Sequence, residues 1–127
     1  MTRERFGTWI AVAALNAGLA VMAGAFAAHG LEAAGPRAAE WMRTGAQYHM
    51  WHSLALLAGA FLAREGGGRA FAVSSIAWLV GILLFSGALY GLALGGPRWL
   101  GAVAPVGGVA FISGWLAAAV GGLRLRR

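Results

Sequence analysis

Cysteine, lysine and aspartate are all absent from the 127 residues, and only 11% of the chain is charged. Without cysteine there is no disulfide, no thiolate metal site and no iron–sulfur cluster. Without lysine there is no GxxxxGK phosphate cradle. Without aspartate, a Ser/His/acid triad would need one of four glutamates, Glu4, Glu32, Glu40 or Glu65, to reach in from a loop. A soluble domain carries about 25% charged residues, so a chain that is 60% hydrophobic and this poor in charge is not a water-soluble globule. The net charge of +6 rests entirely on arginine. A nucleic-acid binder gathers its basic residues on a polar surface; here they stand at the ends of apolar runs, so nucleic acid is excluded as a partner.

What the chain does have is four long apolar runs, residues 8–28, 45–63, 70–94 and 100–123. A helix rises ~1.5 Å per residue, so ~20 residues cross a hydrocarbon core of ~30 Å. All fourteen arginines and glutamates lie outside the runs, as expected where a charge at a helix centre costs roughly 2.5–3.5 kcal/mol. Soluble helices would show a polar stripe, and barrel strands would alternate. The expected fold is an all-α membrane protein, a four-transmembrane-helix up-down bundle forming one transmembrane domain over residues 1–127. The N-terminal run also has features of a signal peptide, but its 21 residues exceed the usual 7–15 of such a core, so it is read as a span. Short loops place Arg3, Arg5, Arg64, Arg69, Arg124, Arg126 and Arg127 on one side and Arg37, Arg43 and Arg98 on the other. The excess puts both termini in the cytoplasm, with Arg64, Arg69, Arg124, Arg126 and Arg127 as topology anchors.

Between the first two runs, Pro36 is placed as a first helical residue. Ala38, Trp41, Met42 and Gly45 then share one face, predicting a short amphipathic segment on the outer surface. Helices in lipid associate through small residues. Gly87, Gly91 and Gly95 make two GxxxG steps on the third run, and Ala20 with Gly24, and Gly114 with Ala118 and Gly122, repeat that spacing. These faces serve either the chain's own bundle or a homo-oligomer. Pro105, followed by Gly107 and Gly108, predicts a helix break near the start of the fourth run, either a plain proline kink or a discontinuity that builds a site.

Three histidines are the candidates for proton or metal work. His49 and His52 are neighbours at i, i+3, Tyr48 and His52 at i, i+4, and His29 and Tyr90 are expected at the same outer end. Intramembrane ionisable groups usually face a bundle interior or a wet cavity. Two readings stay open. In one, these residues are a structural polar cluster of neutral imidazoles that anchor helix ends. In the other, they hold a small ligand, a proton, or a metal or haem using His29 and His52, although no carboxylate is near to orient a metal.

Four stretches, GAFAAHGL (Gly24–Leu31), QYHMWHSLAL (Gln47–Leu56), FSGALYGLAL (Phe85–Leu94) and APVGGVAFISGW (Ala104–Trp115), occur in order along nearly the whole chain. Together they resemble the small bacterial inner-membrane proteins of the YgdD/YwdK type, a family of unknown function with mitochondrial transmembrane relatives. The resemblance implies an inner-membrane location, four transmembrane helices and recurrent polar points at His29, Tyr48, His52, Ser86, Tyr90 and Pro105. The sequence departs from the pattern at His49, where Gln is usual, and at Ala104, where Thr is common. The resemblance brings no activity with it. The expected function is a non-catalytic assembly or accessory partner in the lipid bilayer, bound to another membrane protein or to its own copies, with no cofactor and no dedicated metal. The alternative is a ligand, metal or haem binder, or a small transporter, using the histidine cluster.

Overall fold

The computed structural model describes residues 1–127. The chain is helical almost throughout: α1 Arg3–His29, a 3₁₀ turn Glu32–Ala34, α2 Pro36–Leu62, a turn Ala63–Gly67, α3 Gly68–Gly81, a π-helical turn Ile82–Ser86, α4 Gly87–Ala93 and α5 Leu100–Leu125. Three helical segments are long and apolar enough to cross a membrane: Arg3–His29, Pro36–Ala93 and Leu100–Leu125. The middle one has 58 residues, which as a straight rod would be about 87 Å long, nearly three hydrocarbon thicknesses. It is not straight. Gly66 (φ 107) and Gly68 (φ 54) adopt backbone angles open chiefly to glycine, and the chain folds back there. Gly59 of α2 consequently lies beside Ser75 and Trp78 of α3, and Gly45 beside Leu89 and Tyr90 of α4. The second and third apolar runs are thus two antiparallel legs of one segment.

The expected outer amphipathic segment is not separate. Pro36 stands at the N-terminus of α2, and the helix runs through Trp41 without interruption. The residues predicted to share a face do so: Ala38, Met42 and Gly45 are buried and Trp41 is half-buried. Leu31, from the linker, packs with Ala27, Met42 and Ala93 and closes that end. The larger core cluster joins Ala13 of α1, Ala55 and Leu56 of α2, Trp78 and Ile82 of the third leg, and Phe111 of α5.

The glycines expected to pack the third leg do not. Gly87 is exposed and a side chain there would meet only the Ile82 carbonyl of its own leg at 4.0 Å, Gly91 faces only the tip of Leu100, and Gly95 (φ 86) is a turn residue beyond the end of α4. The helix-packing glycines lie on the other helix. Gly107, Gly114 and Gly121 of α5, seven residues apart, receive Phe85, Trp78 and Phe71 of the third leg. In the same register Gly81 receives Phe111 in the opposite sense. At Gly114, Gly121 and Gly81 a wide side chain on one helix meets a missing one on the other, and a seven-residue repeat keeps the seam facing its partner. At Gly107 the approach is backbone to backbone, against the amide of Phe85 inside the π turn. α5 is continuous through Pro105, so the helix is not divided into two pieces there. Pro105 lies five residues from the helix start, on an exposed face.

These contacts set the order of sensitivity. Gly107→Val puts atoms where Phe85 backbone already lies and should destabilise the purified protein by about 1–3 kcal/mol, the range for overpacking. Gly87→Ala should be neutral or stabilising by up to ~1 kcal/mol, because alanine is the better helix former. Thermal unfolding in one detergent, followed by size exclusion, measures both. Equal sensitivity at the two positions would contradict the packing described.

Candidate functional site

α1 and α2 run antiparallel, with the Phe6 and Phe61 ring centroids 5.0 Å apart and Gly24 opposite Ala46. Asn16 and His49 are each the central residue of a 27-residue helix, and they meet. Asn16 Nδ2 donates to the carbonyl of Val12 at 2.8 Å, leaving Oδ1 to accept from His49 Nε2 at 2.9 Å. His49 Nδ1 is then an acceptor, and the Tyr90 hydroxyl donates to it at 2.9 Å. The amide orientation and the imidazole tautomer both follow from this network. One neutral chain of hydrogen bonds thereby ties α1, α2 and α4 together at a residue that is 5% exposed. Nearby, Ser86 Oγ donates across to the carbonyl of Gly45 at 2.8 Å. Ser53, Ser74, Ser75 and Ser113 instead bond back to their own helices four residues earlier.

His52, one turn further along α2, belongs to a second arrangement. Its Nδ1 donates to the carbonyl of Tyr48 at 2.7 Å, and its Nε2 accepts from Trp115 Nε1 at 3.1 Å. Only the neutral Nδ1–H tautomer satisfies both partners. The ring stacks on Phe111 with centroids 3.6 Å apart and planes at 10°. Tyr48, His52, Phe85, Phe111 and Trp115 line a groove of about 620 Å³ between α2 and α5, open on the side where Trp115 is 51% exposed. Trp78, packed against Trp115 with centroids 4.7 Å apart, carries the one buried side-chain nitrogen without a hydrogen-bond partner.

The structure therefore brings Tyr48, His49, His52 and Tyr90 into one region but divides them into two networks. It also places Tyr48, His49 and His52 at mid-length of α2, because α2 begins at Pro36, nine residues before the apolar run, while Tyr90 stands three residues before the end of α4. His29 stands apart. It is exposed at the end of α1, and the antiparallel register sets it about 20 Å of helix rise from His52. Gly107 is a packing contact, Gly108 lines the groove, and the anchors Arg64, Arg69, Arg124, Arg126 and Arg127 are all exposed. Arg64 lies over the Phe6 ring, 4.6 Å from its centroid. Sequence reasoning missed two participants. Asn16 had a signal, as the only amide in the first run; Trp115, half-exposed in an apolar helix, had none.

Removing one member of the first chain strands its neighbours. Asn16→Leu and Tyr90→Phe should each destabilise by roughly 0.6–2 kcal/mol, the range for interhelical hydrogen bonds in lipid. His49→Gln should retain more stability than His49→Leu, since a carboxamide also offers one donor and one acceptor. A double-mutant cycle between positions 16 and 90, read by thermal unfolding, should show coupling through His49. Strict additivity would mean that the chain does not act as a unit.

Residues 23–108 match the family described as "Protein of unknown function (DUF423)". The UPF0382 membrane protein YwdK of Bacillus subtilis (strain 168) is 48% identical over 111 residues, which cover 85% of this chain and 89% of that one. A UPF0382 membrane protein of Haemophilus influenzae is 40% identical over 118 residues, 91% of this chain and 94% of its own length. The UPF0382 inner membrane protein YgdD of Escherichia coli (strain K12) is 40% identical over 116 residues, 91% and 88% of the two chains. No solved structure matches. A family match over most of the chain, relatives of this identity named as membrane proteins, and three helical segments long and apolar enough to span a bilayer lead to one conclusion: the chain belongs to the DUF423 family of membrane proteins.

Proposed function

We propose that the chain crosses the inner membrane four times with both termini in the cytoplasm, and that it serves as a non-catalytic accessory or assembly partner for another membrane protein. The two legs of the 58-residue segment are each long enough for one crossing, and the Gly66–Gly68 reversal carries Arg64 and Arg69 on the same side as the termini. Seven arginines then face the cytoplasm and three face outward, as the positive-inside rule requires.

The observation that carries the non-catalytic reading is that all four ring nitrogens of His49 and His52 are occupied by protein partners. A metal or haem iron on either residue would have to displace Tyr90, Asn16, Trp115 or a helix carbonyl, and His29 is too distant to complete a pair. The histidines serve as ties between helices. What the bundle offers a partner is its long apolar flanks, such as Leu15, Leu19 and Met22 on α1. A second reading, a binder of a bilayer-dissolved small molecule, is favoured by the aromatic groove beside His52, where the Tyr48 hydroxyl has no hydrogen-bond partner of its own.

Single cysteines at Thr2, Gly67 and Arg127 should react only from the cytoplasmic side, and cysteines at Gly35 and Gly96 only from outside. A membrane-impermeant reagent reaching Gly67 from outside overturns the crossing count or its orientation. For the partner role, affinity purification from mildly solubilised native membranes should return one membrane protein in fixed stoichiometry, retained when the groove is filled by Gly108→Leu. A chain that always purifies alone counts against it, and a small molecule lost on Gly108→Leu supports the second reading.

A further inference from the structure

At the end of the bundle opposite His29, the starts of α1 and α3 flank a cleft. The cavity between them holds about 340 Å³ and is lined by Arg5 and Trp9 of α1 and by Arg69, Ala72 and Ile76 of α3, with Met1, Gly68 and, from the turn after α2, Ala63 completing it. Its chemistry is graded along the helix axes. Each helix contributes one arginine from its first turn. Trp9 and Ala72 follow about one turn deeper and Ile76 two turns deeper. The mouth is therefore cationic and the interior apolar.

The two guanidiniums are uncommitted. Glu4 and Glu65 are the acids at this end, and neither lies within 4.0 Å of Arg5 or Arg69. Arg64, by contrast, is held over the Phe6 ring. Arg3, Arg124, Arg126 and Arg127 add positive charge around the same end but do not line the cleft.

We propose that the α1–α3 cleft is a binding site for one anionic phospholipid, its phosphate between Arg5 and Arg69 and an acyl chain along Trp9, Ala72 and Ile76. Charge complementarity selects the occupant. Two unpaired guanidiniums from separate helices suit a phosphate, which accepts several N–H bonds at once. An apolar wall directly beneath them suits an amphiphile better than a free anion. Tryptophan at the level of the polar groups is the usual marker of a membrane interface, and basic pockets between helices on the cytoplasmic side are where anionic headgroups bind. The proposal uses the crossings proposed above only to put the cleft mouth at headgroup level, which the cysteine labelling tests separately.

The protein is reconstituted in nanodiscs containing equal phosphatidylglycerol and phosphatidylcholine, released into a mild detergent, and weighed by native mass spectrometry. One phosphatidylglycerol should remain bound in preference to phosphatidylcholine. Arg5→Gln with Arg69→Gln should weaken retention about 30-fold, the combined effect of two arginines at one headgroup. Arg126→Gln with Arg127→Gln removes the same charge outside the cleft and should leave retention unchanged. Ile76→Trp, which fills the apolar part and keeps both arginines, should also release the lipid. Thermal unfolding of each variant verifies that it is folded. Equal loss in both arginine pairs would reduce the effect to general electrostatics and overturn the site. So would equal retention of phosphatidylcholine, or displacement of the lipid by millimolar glycerol phosphate, which would make the ligand a free phosphate.

Discussion

The seam between α5 and the third leg is the contact on which the other features depend. Lipid supplies no hydrophobic drive for helices to associate, so packing must come from shape. Here the shapes are complementary at the level of single residues. Phe71, Trp78 and Phe85 sit on Gly121, Gly114 and Gly107, while Phe111 sits on Gly81. The seam fixes the depth and rotation of α5, which brings the Phe111 ring onto His52 and Trp115 within hydrogen-bonding distance of it. The π turn Ile82–Ser86 falls where Gly107 makes the closest backbone approach. In the same turn Phe85 packs against Phe111 of α5 and Tyr48 of α2, and Ser86 bonds across to the carbonyl of Gly45.

With the helices fixed, the interior polar groups have partners. A polar group buried in an apolar medium is costly unless it is bonded, and the two networks pair all four ring nitrogens of His49 and His52, three with side chains of other helices and His52 Nδ1 with the Tyr48 carbonyl of α2 itself. α1 depends on this more than the others. It packs chiefly on α2, burying only Ala13, Ala20 and Ala27, again seven apart. The Asn16–His49 bond is its specific tie to the bundle. Small residues let α1 approach closely, and the bond sets its register.

The two ends of the molecule differ in kind. At the His29 end, Leu31 folds under Met42 and Ala93 to form a small apolar cluster, with Arg37 over the Trp41 ring 5.5 Å from its centroid. At the other end Arg5 of α1 and Arg69 of α3 line a cleft rather than pairing with glutamates.

The order of residues alone determined the helical class, the four apolar runs and the exclusion of charge from them, because in hydrocarbon a continuous apolar run can pair its backbone only as a helix. Pro36 as a helix start and the shared face of Ala38, Met42 and Gly45 were also legible, since these are local properties of one helix. The resemblance carried by its motifs placed the chain in its family. What tertiary structure decided is which small residues touch. A four-residue spacing drew attention to Gly87, Gly91 and Gly95, whereas the seam uses a seven-residue spacing on α5. Both patterns exist in a chain with 21 glycines, and only the partner helix selects between them. The same holds for the polar residues: His49 and His52, three apart on one helix, belong to different networks because Asn16 and Tyr90 approach one ring and Trp115 the other. Hydrogen-bond partners 33, 41 and 63 residues away in the chain are set by helix rotation and depth, which no local pattern encodes.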